Sequence, residues 1–418
     1  MFNNHLNSNK RITHNFSYNV KQYLKHLFKR YFPSAFYMLK RVYMWHLRKK
    51  KITNYFKTDY KKNALLSYIT HPFTKELSFE HTNYFEAMSI ARALRELGYN
   101  VDIINFYYSG TVDFSKYNVL IGFGDVFQQY FESKFNHLKT IYYATGMHVC
   151  HQNTISLKRV KDVYQKKGVW LGKSARFVEK TWTHQTTLVD AIIALGNEIC
   201  ANSYRKYYDG SIYSLPVPFY EIQDAKQIIE NRSDLSKKHY LWFGSSGMIH
   251  KGLDLCLDYF SKNQHVFLHI CGPVQQEIEF VNAYRSELFH SPNIKIHGFV
   301  DISSKEFKDI VSKCSFVIFP SCSECGAASV LAAIGNGGLI PIITKETTVE
   351  TGYEIWIEDF NYESIEKAIN YSQSLTFSQI KELQLKNLEY VKKNHNHEVY
   401  YNKLRAYIKE ILEVENAL

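Results

Sequence analysis

The sequence predicts an α/β protein with two doubly wound domains, each a parallel sheet covered by helices on both faces. The chain has 418 residues, too many for one ordinary hydrophobic core. From residue 63 onward, short apolar runs alternate with segments of helical periodicity. The alternation is interrupted by a polar stretch at residues 221–238 and then resumes, so we assign that stretch to a linker between the domains.

The first domain is predicted over residues 63–220. A helix follows its first strand and a polar loop, with apolar residues at helical spacing at Phe85, Met88, Ala91 and Leu94. The predicted strands are NALLSYIT, VDIINFY, YNVLIGFGD, TIYYATG and VDAIIALGN. Apolar strands that alternate with helices are typical of a parallel sheet that is buried on both faces.

The second domain is predicted over residues 239–375 by the same alternation. Its strands are HYLWFGSSG, VFLHICGP, NIKIHGFV, SFVIFPSCSECG and LIPIIT. The closing segment, residues 376–418, has helical periodicity and could pack on either domain or bridge both.

A basic N-terminal extension is predicted over residues 1–62. It contains fifteen Lys or Arg and one acidic residue, a net charge of +14, whereas the whole chain carries +11, so residues 63–418 carry −3. Basic and aromatic residues on amphipathic helices are typical of a membrane interface, so we expect residues 1–52 to bind an anionic membrane surface. A solvated helix packed on the body is the alternative. Nucleic acid is disfavoured as a partner, because no nucleic-acid recognition motif follows.

The expected location is cytoplasmic, peripheral at the inner face of the plasma membrane. No apolar run is long enough to span a bilayer, and the N-terminus does not resemble a secretory signal. The seven cysteines are odd in number and mostly lie in apolar runs, which indicates reduced, buried thiols. Cys322 and Cys325 form a C-x-x-C pair without a second pair, so we predict no metal site.

Small, basic and acidic residues recur where the predicted strands of the second domain end. Ligands of open α/β sheets bind at the carboxyl ends of the strands, so these residues predict a binding site. Small residues let backbone N–H groups approach phosphate, and a lysine supplies positive charge. No G-x-G-x-x-G or phosphate-loop motif is present. The candidates are Gly244, Ser245, Lys251, Gly272, His297, Gly298, Phe299, Val300, Ser323, Glu324, Gly326, Ala327, Ala328 and Ser329.

Several of these segments resemble the family 4 glycosyltransferases. FGSSGMIHKGLDLCLDYF is similar to their glycine-rich turn followed by K-G and a helix, and PSCSECGAASVLAAIGNGGLIPIIT is similar to their E-x7-E region. YYATGMHVCHQN and VDAIIALGNEICANSY look like first-domain partners. The resemblance covers residues 63–345. It implies a GT-B fold with two facing Rossmann-like domains, a nucleotide-diphosphate sugar as donor, retention of anomeric configuration, and no required metal or other cofactor.

The resemblance also implies a role for individual residues. Lys251 would neutralise the donor diphosphate, beside Gly244 and Ser245. Glu324 would contact the transferring sugar, and the backbone from Gly326 to Ser329 would face the diphosphate. The residues His297 to Val300 would flank the nucleobase.

The sequence departs from the family pattern at several positions. Ala332 stands where the family has its second Glu, on the ribose. The Arg that usually precedes the lysine is missing, and His250 could replace it in part. The family's first-domain glycine pair is absent from the loop between His71 and Asn83.

Three further polar residues are candidates in the first domain. His148 follows a predicted strand end and could hydrogen-bond the donor sugar or assist proton transfer from the acceptor; a histidine satisfied within its loop is the alternative. Arg159 and Arg176 could pair with an anionic group of the acceptor, and solvated surface arginines are equally compatible with the sequence.

The function implied is sugar transfer, with retention, to a glycan or lipid-linked acceptor in bacterial surface polysaccharide synthesis. In the catalytic set we place His148, Lys251 and Glu324. An inverting or polyol-phosphate transferase of the same fold is an alternative because of Ala332. A non-catalytic GT-B-like subunit that binds a sugar or a partner protein is another.

Overall fold

The computed structural model describes residues 48–74 and 81–413, and Ala35 and Met38 in isolation. Nearly all of the basic extension, with the membrane-binding surface predicted there, lies outside the described residues. Among the helices that are described, none is both long and apolar enough to cross a membrane.

A seven-stranded sheet forms the first domain, in the order β1-β3-β2-β4-β5-β6-β7. All neighbouring strands are parallel except β1 and β3. Burial on both faces favours this arrangement; in β6, for example, all five residues of AIIAL are buried. The strands are β1 (Lys51–Ile52), β2 (Lys62–Tyr68), β3 (Tyr99–Asn105), β4 (Val119–Gly122), β5 (Lys139–Ala144), β6 (Ala191–Leu195) and β7 (Ser211–Leu215).

Five α-helices connect these strands, and the longer ones bury apolar residues. In the first helix, two residues of the spacing read from the sequence, Ala91 and Leu94, are fully buried, and Phe85 and Met88 are partly buried. The helices are α1 (Asn83–Glu96), α2 (Asp125–Phe131), α3 (Val149–Lys167), α4 (Thr183–Thr187) and α5 (Glu198–Tyr204).

The edge strand β1 lies within the segment that the sequence assigns to the extension. Lys51 and Ile52 pair with Ile104 and Ile103 of β3. The ammonium group of Lys51 forms an ion pair with Asp102 at 2.9 Å. A two-residue strand in a run of lysines carries no periodicity, so its pairing could not be read from the sequence.

The second domain contains a six-stranded sheet, in the order β10-β9-β8-β11-β12-β13, in which every pair is parallel. The chain moves outward from β8 to β10 and then returns to the other side of β8 with β11, so the strand order reverses between β8 and β11. The strands are β8 (His239–Phe243), β9 (Phe267–Cys271), β10 (Ile294–Gly298), β11 (Phe316–Phe319), β12 (Ile340–Ile343) and β13 (Ile355–Trp356).

The helices of the second half begin within the predicted linker. There α6 buries Ala225, Ile228 and Ile229 and packs against α11, so this part of the linker joins the second domain. The helices are α6 (Ala225–Glu230), α7 (Leu253–Phe260), α8 (Ile278–Ala283), α9 (Arg285–His290), α10 (Lys305–Lys313), α11 (Ala328–Gly337), α12 (Tyr362–Ser374), α13 (Phe377–Asn394) and α14 (His397–Glu413).

The last two helices contact different domains. Helix α13 packs against α11 and β12 of the second domain, whereas α14 packs against α1 and β7 of the first. A hydrogen bond of 2.8 Å between the hydroxyl groups of Tyr143 and Tyr400 fixes α14 to β5. The end of the chain therefore connects the two domains a second time.

Ion pairs join the two domains along helix α3. Arg159 meets Asp254 at 2.5 Å and Lys167 meets Glu287 at 2.5 Å. Lys166 also contacts Asp258. Arg159 and Asp254 are both 2% exposed, so Arg159 is a buried interface residue and not the acceptor-binding arginine that we considered from the sequence.

Candidate active site

A cavity of about 490 Å³ lies between the two domains. In the second domain it adjoins the ends of β8 and β11, the point at which the strand order reverses and ligands of such sheets bind. The first domain contributes the opposite wall. From the first domain the lining residues are Tyr68, Ile69, His81, Thr82, Asn83, Glu86, Phe106, Phe123, Thr145, Arg176, Leu195, Val217, Phe219 and Tyr220. From the second domain they are Phe243, Gly244, Ser245, Lys251, Gly272, Pro273, Phe299, Val300, Asp301, Ile302, Glu324, Cys325, Ala327, Ala328, Ser329 and Ala332.

Lys251 and Glu324 form an ion pair on the second-domain wall. The ammonium group of Lys251 donates to Oε1 of Glu324 at 2.5 Å, and the hydroxyl of Ser321 lies 3.0 Å from the same oxygen. Lys251 follows β8 and Glu324 follows β11, which are adjacent parallel strands, so the fold brings together two residues that are 73 positions apart. The two side chains are 6% and 13% exposed.

Both members of this pair are charged. Burial alone would raise the pKa of Glu324, but the positive charges of Lys251 and Arg176 outweigh it and hold that pKa at about 2. Burial lowers the pKa of the Lys251 ammonium in spite of the carboxylate. The short charge-assisted contact between the ammonium and the carboxylate favours the charged form of both groups.

The glycine-rich turn after β8 approaches the cavity closely. A Cβ atom on Gly244 would lie 3.1 Å from the Lys251 side chain, and one on Gly272 would lie 2.3 Å from the Gly244 carbonyl oxygen. Only glycine fits that second approach. The carboxylate of Glu277 accepts hydrogen bonds from the amides of Gly247 and Met248, at 2.5 and 3.2 Å. Part of the turn therefore already binds an anionic group of the protein itself.

The N-terminus of α11 forms a second anion-binding element of the cavity. Gly326 precedes the helix with a φ of +67°, in the left-handed region, and its amide donates to the Thr348 hydroxyl. The next residues, Ala327, Ala328 and Ser329, line the cavity. N–H groups in the first turn of a helix have no acceptor within the helix, so those of Ala328 and Ser329 can bind an anionic ligand.

The first domain contributes a buried carboxyl group that the sequence did not single out. Glu86 accepts hydrogen bonds from the hydroxyl groups of Tyr68 at 2.9 Å and Tyr143 at 3.2 Å. Burial raises the pKa of Glu86, so it ionises less readily than a solvated carboxyl. Tyr68 could have been suspected from its position at a strand end, but Glu86 lies within a helix whose periodicity predicts only a core face.

Ten of the predicted binding residues line the cavity, and five candidates do not. The ten are Gly244, Ser245, Lys251, Gly272, Phe299, Val300, Glu324, Ala327, Ala328 and Ser329. Outside its wall lie His148, His297, Gly298, Ser323 and Gly326. His297 instead hydrogen-bonds His269 at 3.1 Å, within a stack of strand histidines.

His148 has a structural position at the start of α3. Its Nδ1 accepts from the amide of Cys150 at 3.2 Å, and its ring stacks on Tyr207 at 4.0 Å between centroids. Burial lowers its pKa to about 4. Thr145, three residues earlier, does line the cavity. The structure therefore places the strand end at the site but turns the histidine away to cap a helix.

His250 cannot supply the positive charge of the missing arginine. Its side chain is 2% exposed, and burial lowers its pKa to about 3, so the ring is neutral near pH 7. Ala332 lines the cavity with a methyl group, and Asn336, one turn later, accepts from the backbone amides of Ile222 and Gln223. The Asn336 side-chain oxygen is therefore occupied in holding the linker.

The two cysteines of the C-x-x-C pair have separate surroundings. The Sγ atom of Cys322 lies 3.8 Å from Nδ1 of His250, whereas that of Cys325 lies 3.8 Å from Sγ of Cys200 in the first domain. Across the part of the chain that the structure describes, no cluster of three or more His, Cys, Asp or Glu is arranged to hold a metal ion.

Two facing Rossmann-like domains with a cavity between them define the GT-B fold, the architecture of a large class of glycosyltransferases. Neither a family profile nor a curated protein sequence matches the chain. The resemblance to family 4 thus stays a prediction.

Solved structures of glycosyltransferases share the fold. A glycosyltransferase from Rickettsia africae has a TM-score of 0.54 and 14% identity, over 85% of this chain and 100% of that one. The Anabaena protein HepE, solved in complex with UDP and glucose, has a TM-score of 0.53 and 10% identity, over 84% and 99%. A UDP-forming α,α-trehalose-phosphate synthase from Burkholderia vietnamiensis has a TM-score of 0.56 and 8% identity, over 87% and 100%. At these identities the similarity establishes the fold.

Proposed function

We propose that this protein is a glycosyltransferase that binds a nucleotide-diphosphate sugar in the cavity between its domains. One observation carries the proposal: the pair Lys251–Glu324 and the free N-terminal amides of α11 meet at the strand reversal of the second domain. A diphosphate needs positive charge and N–H donors, and a sugar needs a hydrogen-bond acceptor for its hydroxyl groups. The site offers all three within one cavity.

The chemistry follows from these groups. As the bond between the sugar and the diphosphate breaks, negative charge develops on the leaving phosphate. Lys251 and the amides of Ala328 and Ser329 stabilise that charge in place before the reaction, which lowers the barrier. Glu324, held ionised by Lys251, accepts hydrogen bonds from the sugar and orients it.

Retention of configuration is the finer part of the proposal. The acceptor hydroxyl would attack from the face that the diphosphate leaves, and the leaving phosphate would take its proton. The acceptor would be a glycan or lipid-linked sugar of a bacterial surface polysaccharide. Determination of the product anomer by NMR distinguishes this course from inversion.

A thermal-shift screen followed by calorimetry tests donor binding. The four probes are UDP-glucose, a GDP-sugar, an ADP-sugar and a dTDP-sugar; UDP-glucose comes first because HepE was solved with UDP and glucose. We expect one donor to raise the melting midpoint by mass action. The variants Lys251→Ala and Glu324→Gln should lose transfer, whereas Lys308→Ala, an exposed lysine of α10, is the matched control.

Two results would oppose the proposal. If both site variants transferred sugar like the control, the assigned site would be wrong. If no sugar nucleotide bound at all, the protein would instead fit a non-catalytic subunit of this fold. Activity after dialysis against EDTA checks independence from metal, since loss of transfer that added Mg²⁺ or Mn²⁺ restores would contradict it.

Membrane association belongs to the same proposal. The charge of residues 1–62 supports binding to anionic lipid, at the inner face of the plasma membrane. Because β1 pairs with the first sheet, the truncation should remove residues 1–47 and keep Lys51 and Ile52. We expect the truncated chain to lose sedimentation with phosphatidylglycerol vesicles and to keep donor binding. Equal sedimentation of both chains would exclude the extension as the anchor.

A further inference from the structure

Arg176 of the first domain lies against the glycine-rich turn of the second domain. A Cβ atom on Gly247 would be 2.4 Å from Cδ and 2.5 Å from Cγ of Arg176, so the absence of a side chain at Gly247 leaves the space that the arginine occupies. Arg176 also lines the cavity that contains Lys251 and Glu324. Its side chain thus crosses from one domain to the other beside the candidate donor site.

The backbone around Arg176 is fixed in this position. Arg176 has a φ of +53°, in the left-handed region that non-glycine residues rarely adopt. Its carbonyl oxygen accepts from the side-chain amide of Gln152 at 2.8 Å. Two residues earlier, the carbonyl oxygen of Ser174 accepts from the amides of Ile249 and His250, at 3.2 and 3.1 Å. The segment that carries Arg176 is therefore bonded directly to the turn that carries Lys251.

The charges at the cavity give Arg176 a distinct role. Lys251 and Arg176 are the two lysine or arginine side chains among the described lining residues, and the Lys251 charge is already paired with Glu324. Arg176 is an exposed residue, and no carboxylate of the described residues forms an ion pair with it. Its charge acts on the site, because it contributes to the lowered pKa of Glu324. A guanidinium is also well suited to bind phosphate oxygens in pairs.

We propose that Arg176 binds the diphosphate of the donor together with Lys251, so that two cations from opposite domains hold one ligand. The inference rests on the proposed function, because it requires a nucleotide-diphosphate ligand in this cavity. Lys251 holds the sugar-binding carboxylate, and Arg176 supplies the unpaired positive charge. Donor binding then draws on contacts from both domains of the protein.

The test measures UDP affinity by calorimetry, with GDP, ADP or dTDP in its place if the screen selects that donor. We expect Arg176→Met to weaken binding roughly 10- to 100-fold, as for the loss of hydrogen bonds to a charged group. Arg176→Lys should recover part of the affinity. Arg205→Met removes another exposed arginine of the first domain and is the matched control, which should bind like the wild type.

Two further measurements distinguish loss of the Arg176 charge from a change in the structure of the site. The affinity of Arg176→Met should depend less steeply on salt concentration than that of the wild type, because one cation fewer is screened. The melting midpoint without ligand should stay unchanged, since Arg176 is an exposed residue that forms no ion pair with a described carboxylate. Affinity within twofold of the wild type would overturn the inference, as would a loss with unaltered salt dependence. Either of these two results would contradict the role of Arg176 but not the proposed donor site. If the wild-type chain bound none of the four nucleotides, the proposed function would be contradicted as well.

Discussion

The buried ion pair of Arg159 and Asp254 connects the two domains. Removal of one partner should destabilise the protein strongly, whereas removal of both should change its stability little. The Nη2 atom of Arg159 donates to Oδ2 of Asp254, between α3 and α7. Nε of Arg159 and Oδ1 of Asp254 are also buried but find no hydrogen-bond partner within the described chain. Asp254 is therefore held by a single short hydrogen bond, and Arg159 adds only a longer contact of 3.5 Å to the more exposed Asp162. Burial raises the pKa of Asp254 even beside the guanidinium.

The magnitudes follow from this incomplete pairing. Arg159→Met leaves Asp254 buried without a hydrogen-bonded counter-charge, and Asp254→Leu leaves Arg159 with only the 3.5 Å contact to Asp162, which is 41% exposed. Each single change should cost about 3–5 kcal/mol of unfolding free energy. The double variant removes both charges and both unsatisfied atoms, so its stability should lie within about 1 kcal/mol of the wild type or exceed it. The coupling energy of the cycle would then be at least about 3 kcal/mol.

Urea unfolding followed by tryptophan fluorescence and near-ultraviolet circular dichroism measures all four chains. Two probes are needed because a two-domain protein need not unfold in one step. Lys173→Met is the control: it removes another ion pair between the same domains, with Glu279 at 2.7 Å, but both side chains are exposed. We expect no measurable change there. If Arg159→Met changed stability no more than Lys173→Met, the Arg159–Asp254 pair would have to be solvated and the domain interface open.

Three other changes test the site and its surroundings. The pKa of Glu324 is about 2 in the folded protein and 4.5 ordinarily. The contribution of the ionised Glu324 to the free energy of unfolding is therefore complete above pH 4.5 and is lost as the pH falls toward 2. Urea midpoints of the wild type should therefore fall more steeply than those of Glu324→Gln below pH 4.5, by on the order of 3 kcal/mol in total; parallel curves would contradict this. Gly326→Ala forces a left-handed backbone and places Cβ 2.4 Å from Val217, whereas Gly168→Ala has the same backbone cost in open space. Thermal unfolding should show about 1 kcal/mol lost at Gly168 and clearly more at Gly326, and equal losses would mean that the domains separate freely. Ellman's reagent should titrate one thiol quickly in the native protein, Cys150, and all seven after denaturation, because five thiols are buried and the partly exposed Cys325 donates to the Leu195 carbonyl oxygen. A second fast thiol would show that the reagent reaches Cys325 from the cavity.

The sequence predicts the second-domain wall of the site well, because that wall depends on local order. Strand ends and helix starts can be read from hydrophobic periodicity, and the carboxyl ends of parallel strands meet at one edge. Lys251 and Glu324 could therefore be assigned to one site without knowing that their side chains touch. His148 shows the limit of the same argument, because a residue after a strand can cap the next helix instead of facing the ligand.

The first-domain wall could not be predicted in this way, because it depends on contacts between distant parts of the chain. Arg176 reaches the site through an irregular segment held by Gln152, and nothing in the local pattern distinguishes it from a surface arginine. Glu277 likewise binds the glycine-rich turn from the start of α8. The two-residue strand β1 falls below the length at which alternation can be recognised.

The charged contacts between the domains extend from helix α3 to the candidate site. On helix α3, Arg159, Lys166 and Lys167 form ion pairs with acidic residues on α7 and α9 of the second domain. The chain segment after this helix then carries Arg176 to the cavity. There the amides of Ile249 and His250 bond the Ser174 carbonyl oxygen, which holds this segment against the turn that carries Lys251. The contacts that fix the two domains relative to each other therefore continue up to the residues to which we assign the proposed diphosphate.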